Sequence, residues 1–476
     1  MASSLAAGAV RHFPRWPRAP RVTAEDRRDA RLLMETVYGR WRALPPGVRF
    51  VPRPLPRGEA AEAPGGQRRY LWTDAFAVLN LVTDAARCGA EGDEGGRAAA
   101  LEAALALVET VTRTLGSPRA PDLPMAPSEY PPFTLDPVVP QTPHRANGRK
   151  PRWRGLRIGK RLAAKSSDPG TALDGQYFHY VDKWLVALAR LAAELPEDDP
   201  RRVRVATEAV HVVKDVHPHF IEREPFINGP SIDAFSADRD ARQETRVGAP
   251  IGVRWKINAD ASPVVGLPRA RPSSDAISGS IAYGLVDRAA RAAGVRVPIE
   301  HERGEMRRIA RALSPGVSLD ALGWGLQAWE AQWLARDDRD ADAGGAASDA
   351  EADGRWAEFA RDVRSRRAFD RVVAGDPART GLPFRAYGAY LGARVSGVDD
   401  IGDAAAGLAR DAARRELRKA LAEDPFDDAS KTGESGPSPF SDDLTAINRV
   451  MLASALDPLA FTRRADDPMA FDRAAR

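Results

Sequence analysis

The sequence predicts an all-α protein, a ring of helical hairpins with long loops gathered at one end. Three observations carry this. Ten to twelve stretches place apolar residues at helical spacing, and only one short stretch alternates as a strand does. No glycine-rich GxGxxG or P-loop motif follows a strand, and no Gly-x-Ser-x-Gly elbow is present, so nothing points to a parallel sheet. The helical stretches come in pairs separated by long irregular segments, the arrangement in which loops collect over one end of a ring and form a site.

At 476 residues the chain has ample length for a large core, read here as a single helical domain over 23–460. A formal net charge of +4 is small for this size and is no nucleic-acid footprint, so no nucleic-acid partner is expected. No run of about 18 apolar residues exists, so no membrane span is expected. The single cysteine, Cys88, excludes an internal disulfide framework and fits a reducing, cytoplasmic setting. Residues 1–22 carry four Arg and no acid and read as a flexible arm, with a transit peptide as the other reading; residues 461–476 read as a tail.

In chain order, Thr23 and Asp26 form a capping box ahead of an apolar stripe through Leu33, Met34, Val37 and Trp41. Thr73 or Asp74 can cap a second helix, and an Ala-rich third runs from about Arg97 to Leu115. Gly116 to Gly175 then breaks the rhythm, and a loop of that length is usually functional or disordered. Its second part, Arg145 to Lys165, holds nine basic residues, one Trp and no acid. It reads as a solvated strip, an anion-binding loop or a backbone-tracking strip.

Asp174 is placed to cap a central helix with Tyr177, Val181, Trp184 and Leu188 on one stripe and Gln176, His179 and Lys183 on the other. Asp199 opens the next helix, which ends in His217-Pro218-His219. With no HExxH spacing, helix-end histidines are preferred to a metal site, and neither metal nor cofactor is expected. Val253 to Asp260 alternates as a strand, with Trp255 opposite Lys256 and Asp260. Helices follow from Asp275 or Ser278 and near 319–334, 352–373, 383–393, 403–421 and 442–456. Residues 337–354 and 424–439 are poor in apolar side chains and read as flexible loops.

Five segments, in order, are Tyr70-Leu-Trp-Thr-Asp-Ala-Phe76, Gly155-Leu-Arg-Ile-Gly-Lys160, Asp174-Gly-Gln-Tyr-Phe-His-Tyr180 with Lys183-Trp184, Trp255-Lys256 with Asp260, and Met451-Leu-Ala453. Together they resemble a bacterial and fungal family associated with the six-hairpin, (α/α)6-toroid glycosidase-like fold. The resemblance implies a carbohydrate-active protein and lends no established activity. Where such proteins carry His-Asp-Pro, one residue, then Asp-Gly, this chain has Ser274-Asp275-Ala276-Ile277-Ser278-Gly279, so Asp275 stands without ionisable neighbours in sequence.

Glycosidic hydrolysis needs two carboxyl groups flanking the bond, and Asp74, Asp174, Asp260 and Asp275 are the loop-proximal acids. Each also serves as a cap or turn residue. Proton transfer by His179, as in a sugar epimerase or lyase, is the second chemistry. The expected site unites Asp74, His179 and Asp260 as catalytic groups. Trp72, Arg157, Lys160, Gln176, Tyr177, Lys183, Trp255 and Lys256 are expected to hold a small-molecule or glycan ligand. The alternative is a binding protein that uses the basic 145–165 loop without catalysis.

Overall fold

The computed structural model describes residues 20–45, 47–53, 69–117, 127–128, 133–136, 152–153, 155–159, 174–224, 248–264, 274–313, 316–334, 347–373, 382–422, 444–464 and 467. Among these are thirteen helices. In order they are α1 (Ala24–Tyr38), α2 (Leu71–Glu91), α3 (Glu94–Leu115), α4 (Phe178–Glu194), α5 (Pro200–Phe220), α6 (Ser274–Ala292) and α7 (Glu300–Arg311). Then come α8 (Ala321–Glu330), α9 (Ala347–Val363), α10 (Arg366–Val373), α11 (Pro383–Val395), α12 (Asp399–Ala422) and α13 (Thr445–Leu456). The all-α expectation holds.

Contacts divide the helices into two sets. α2 packs on α4, α4 on α6, α6 more lightly on α8, α8 on α11, α11 on α13, and α13 returns to α2. This circuit is made of the helices that are apolar nearly all round: in α4 every residue from Val181 to Ala192 is buried. The others lie outside it, α3 against α2, α5 against α4, α7 against α6, α12 against α11, and α1 against α12 and α13. In α12, for example, Arg and Asp alternate with a narrow Ala stripe, so one face packs and the other stays wet.

Two devices tighten the circuit. α8 and α11 cross on glycines: a Cβ on Gly325 would lie 2.1 Å from the Gly388 carbonyl oxygen, and one on Gly392 would lie 2.2 Å from that of Gly325. The chain beyond α13 then folds back inward through a short 3-10 turn, Leu459–Phe461. The Phe461 ring lies 5.3 Å from that of Phe76, and its carbonyl accepts from Trp329 Nε1 at 3.0 Å. Arg190 clamps this return by donating to the Ala460 and Thr462 carbonyls and to both Asp467 oxygens. The expected tail therefore begins as packed structure. One cavity inside the circuit, touched by Phe76, Lys183, Leu322, Trp329, Met451 and Phe461, measures about 10 Å3. That is room for about one water.

Local departures from expectation have local causes. The capping box stands, with Thr23 N donating to Asp26 Oδ2 at 2.9 Å and Asp26 N to Thr23 Oγ1 at 3.1 Å. α2 starts at Leu71, ahead of both expected caps. The expected strand over 253–260 is two: β5 (Pro250–Val253) pairs antiparallel with β4 (Ile221–Arg223), and β6 (Lys256–Ile257) with β3 (Gln176–Tyr177). A third antiparallel pair joins β1 (Pro127–Ser128) to β2 (Arg152–Trp153). Residues 347–354, expected as loop, belong to α9. The rest of the 337–354 segment and all of 424–439 lie outside the described residues, as do residues 1–19 and most of the basic 145–165 stretch.

Candidate functional site

The starts of α2 and α4 are brought together by a strap of backbone. Ile158 N donates to the Gly175 carbonyl at 2.7 Å, and Leu71 N to the Ile158 carbonyl at 3.2 Å. β3 then pairs with β6, Gln176 opposite Ile257 and Tyr177 opposite Lys256. Two glycines permit this close approach. Gly159 has φ +90° and a Cβ there would sit 1.5 Å from the Arg69 carbonyl oxygen; a Cβ on Gly175 would sit 2.5 Å from that of Ile257.

Arg157 locks the strap from inside. It donates to Asp174 Oδ2 and the Thr114 carbonyl at 2.7 Å each, and to the Ser117 carbonyl at 2.8 Å. Every arm of its guanidinium is engaged with the fold, so Arg157 is a structural clamp where a ligand contact was expected. Asp174 does not cap α4, whose N-cap is Tyr177. It accepts instead from Arg157 and from the backbone amides of Gly159 and Gly175.

Above the strap sits an aromatic shelf. Tyr177 stacks on Trp255 at 5.1 Å and on His179 at 5.2 Å, with Tyr180 edge-on at 5.2 Å. Trp72 closes the cluster, 5.4 Å from Tyr180 and 6.0 Å from His179. Lys256 Nζ lies 5.4 Å from the Tyr177 ring centre, a cation–π arrangement. Trp72 and Tyr177 are buried, whereas His179, Tyr180 and Trp255 are half-buried and form the accessible edge. Gln176 lies buried beside them, its Nε2 3.5 Å from the Ala259 carbonyl oxygen and its Oε1 without a hydrogen-bond partner among the described residues. Six of the expected residues thus gather here, and Tyr180 joins them.

Of the three expected catalytic groups, only His179 makes a ring contact in this shelf. Asp74 is sealed, with no exposure, against the outer helix α1. Its Oδ1 accepts from the Tyr38 hydroxyl at 2.7 Å and from Arg69 at 3.1 Å, and burial raises its carboxyl pKa. Asp260 is exposed in the turn after β6, where its Oδ1 accepts from Ser262 N at 3.0 Å and Ser262 Oγ at 2.6 Å. Lys160 lies outside the described residues.

Lys183 leads to chemistry that sequence reasoning missed. One turn below His179 on α4, its Nζ lies 3.1 Å from both oxygens of Asp182, donates to Ser278 Oγ at 2.6 Å, and stands 4.8 Å from the Trp329 ring centre. Asp182, Lys183, Ser278 and Glu330 are almost wholly buried. Asp275, at the start of α6, keeps part of its surface open but is deep enough among protein atoms to lose most of its hydration.

Burial, with the Asp182 charge added, pushes the Asp275 carboxyl up to about 7, against the pull of Lys183. Burial likewise pushes Glu330 up to about 8, opposed by Lys183 and a Ser278 hydrogen bond and reinforced by Asp182 and Asp275. Asp182 is also raised by burial, with Lys183 countering. Three carboxyls around one ammonium cannot all ionise in such a space, so the set holds protons near neutral pH. Asp275 lacks ionisable neighbours in sequence, but α4 and α8 supply them in space. The available signal for Asp182 and Glu330 was an acid set inside an apolar helix run, Val181-Asp182-Lys183-Trp184 and Trp329-Glu330-Ala331-Gln332-Trp333.

His217, near the end of α5, is held in a structural contact. His217 Nε2 lies 2.9 Å from Glu305 Oε2, and Arg223 grips the same carboxylate with two contacts of 2.6 Å. Among the described residues no cluster of three or more His, Cys, Asp or Glu is disposed to hold a metal, and no helix is long and apolar enough to cross a membrane. Compared with models of protein families, with curated proteins and with solved structures, the chain matches none, and its site is read from its own geometry.

Proposed function

We propose that the N-terminal end of the helix circuit binds a glycan or small sugar and acts on it by general acid–base chemistry, with Asp275 as the proton donor. The observation that carries the reading is the position of Asp275: a half-buried residue at the start of α6 whose carboxyl has its pKa raised to about 7, within reach of the charges of a buried Asp182–Lys183–Glu330 set. That set starts about 6 Å, one helical turn, below His179 of the shelf. A carboxylic acid that keeps its proton near the working pH is what protonation of a leaving oxygen requires. The half-buried Trp255, backed by the buried Tyr177 stacked against it, supplies an apolar plane suited to the C–H face of a sugar ring. His179 is half-buried at the accessible edge of the shelf, which supports a role for it in exchanging a proton with substrate or water. The closed contact circuit supports the six-hairpin resemblance from which the carbohydrate reading came.

A thermal-shift screen of the full chain with neutral sugars, uronic acids and oligosaccharides tests binding, and product analysis on the hits tests turnover. Trp255→Ala is expected to abolish the shift, and Asp275→Asn to keep the shift but lose turnover at least 100-fold, the usual scale for a general acid. No shift with any sugar, or full turnover in Asp275→Asn, refutes the reading.

A further inference from the structure

A second cavity, about 200 Å3, opens between α1, α2 and α13. It is lined by the C-terminal half of α2, Asn80 to Glu91, and so lies away from the aromatic shelf at that helix's start. Five arginines face it: Arg27, Arg28, Arg31, Arg42 and Arg87. Three carboxylates share the lining, Asp84, Glu91 and Asp457.

Each carboxylate is already taken. Arg87 binds both oxygens of Asp457 at 3.1 and 2.9 Å, Arg42 both of Asp84 at 3.1 and 2.7 Å, and Arg27 reaches Glu91 at 2.9 Å. Arg28 turns to acids of its own helix, Glu25 and Asp29. Arg31 makes no hydrogen bond or ion pair with any described residue; Glu35 and Asp84 feel its charge without touching it. Arg28 is balanced by Asp29, and Arg42 also meets Asp93 at 3.5 Å, so of the five guanidinium groups that of Arg31 is the one without an ion pair among the described residues, in a half-enclosed space. Met34, Trp41 and Ala453 add an apolar floor.

We propose that this cavity is a binding site for a small dianion, a phosphate monoester or a dicarboxylate, with Arg31 as its anchor. Guanidinium forks match both groups in geometry as well as charge. The volume falls below the roughly 300 Å3 at which drug-sized pockets begin, which selects a metabolite-sized ligand. The site binds without reacting. Its carboxylates are locked by arginines, and the Cys88 thiol beside them is held neutral, pushed up to about 11 by burial and by Asp84. A ligand here touches α1, α2 and α13 at once and ties an outer helix to two inner ones.

The test is the melting temperature of the full chain with inorganic phosphate, glycerol phosphate or succinate, each against sodium chloride at matched ionic strength. A saturable rise with at least one dianion and none with chloride is expected; the responding arms distinguish phosphate from carboxylate recognition. Arg31→Gln, which removes no hydrogen bond or ion pair with a described residue, should melt as the wild type does without ligand and lose the rise. Arg31→Lys should keep part of it. No saturable rise with any dianion, a rise that chloride reproduces, or a rise that survives Arg31→Gln overturns the proposal.

Discussion

Lys183 Nζ donates to Ser278 Oγ at 2.6 Å, joining α4 to α6 across 95 residues of chain. The contact places an ammonium among Asp182, Asp275 and Glu330, and its charge is what lets any of these acids ionise in the interior. Lys183→Met should therefore be strongly destabilising at pH 8, by about 3–5 kcal/mol, because it strands buried carboxylates. The loss should shrink at pH 5, where the acids take up protons. Urea denaturation at the two pH values checks this, and an equal loss at both would show that packing, not charge, is what Lys183 supplies.

The raised acids also set a pH dependence. Asp275 near 7 and Glu330 near 8 both lie above their unfolded values, so between about pH 4 and pH 8 the folded state holds protons the unfolded chain has released. Their contribution is full below the ordinary carboxylate range and is lost as pH rises through 7 and 8. Glu330→Gln should flatten the decline over pH 5–8, by up to about 1.4 kcal/mol per pH unit. Glu305, pushed down to about 2 largely by His217 and Arg223, works in the opposite sense: its contribution is present above its ordinary value of 4.5 and fades as pH falls toward 2.

Asp74 is expected to matter for folding and not for ligand binding. Asp74→Ala leaves Arg69 buried without its carboxylate partner and removes the acceptor of the Tyr38 hydroxyl. A cost of about 3–5 kcal/mol follows. At a temperature where the variant is folded, any sugar-induced shift should match that of the wild type. A selective loss of ligand response would return Asp74 to the site.

Glycine at the α8–α11 crossing is expected to be irreplaceable by the smallest side chain. Gly325→Ala should cost about 1–3 kcal/mol, since the helices must part to admit a Cβ 2.1 Å from the Gly388 carbonyl oxygen. Gly407→Ala, in α12 with nothing within 4 Å of the added Cβ, should stabilise by up to about 1 kcal/mol. Paired denaturation curves of the two variants decide the matter.

The helices were legible because their signals are local. Thr23 with Asp26, the apolar run Trp184 to Ala189 of α4 and the Pro383 start of α11 depend on neighbours a few residues away, and periodicity reads such neighbours directly. The shelf was legible for a similar reason, since Trp72, Tyr177, His179 and Trp255 are conspicuous side chains at helix starts and beside short strands. What sequence alone does not decide is which acids meet. Asp74 and Asp174 have the look of helix caps, yet tertiary structure gives each to an arginine, Arg69 and Arg157. Asp182, Asp275 and Glu330 sit on three helices and acquire their shared protons only when α4, α6 and α8 close around Lys183. A carboxyl's proton affinity depends on the charges and the water within a few ångströms of it, and here those neighbours come from distant parts of the chain.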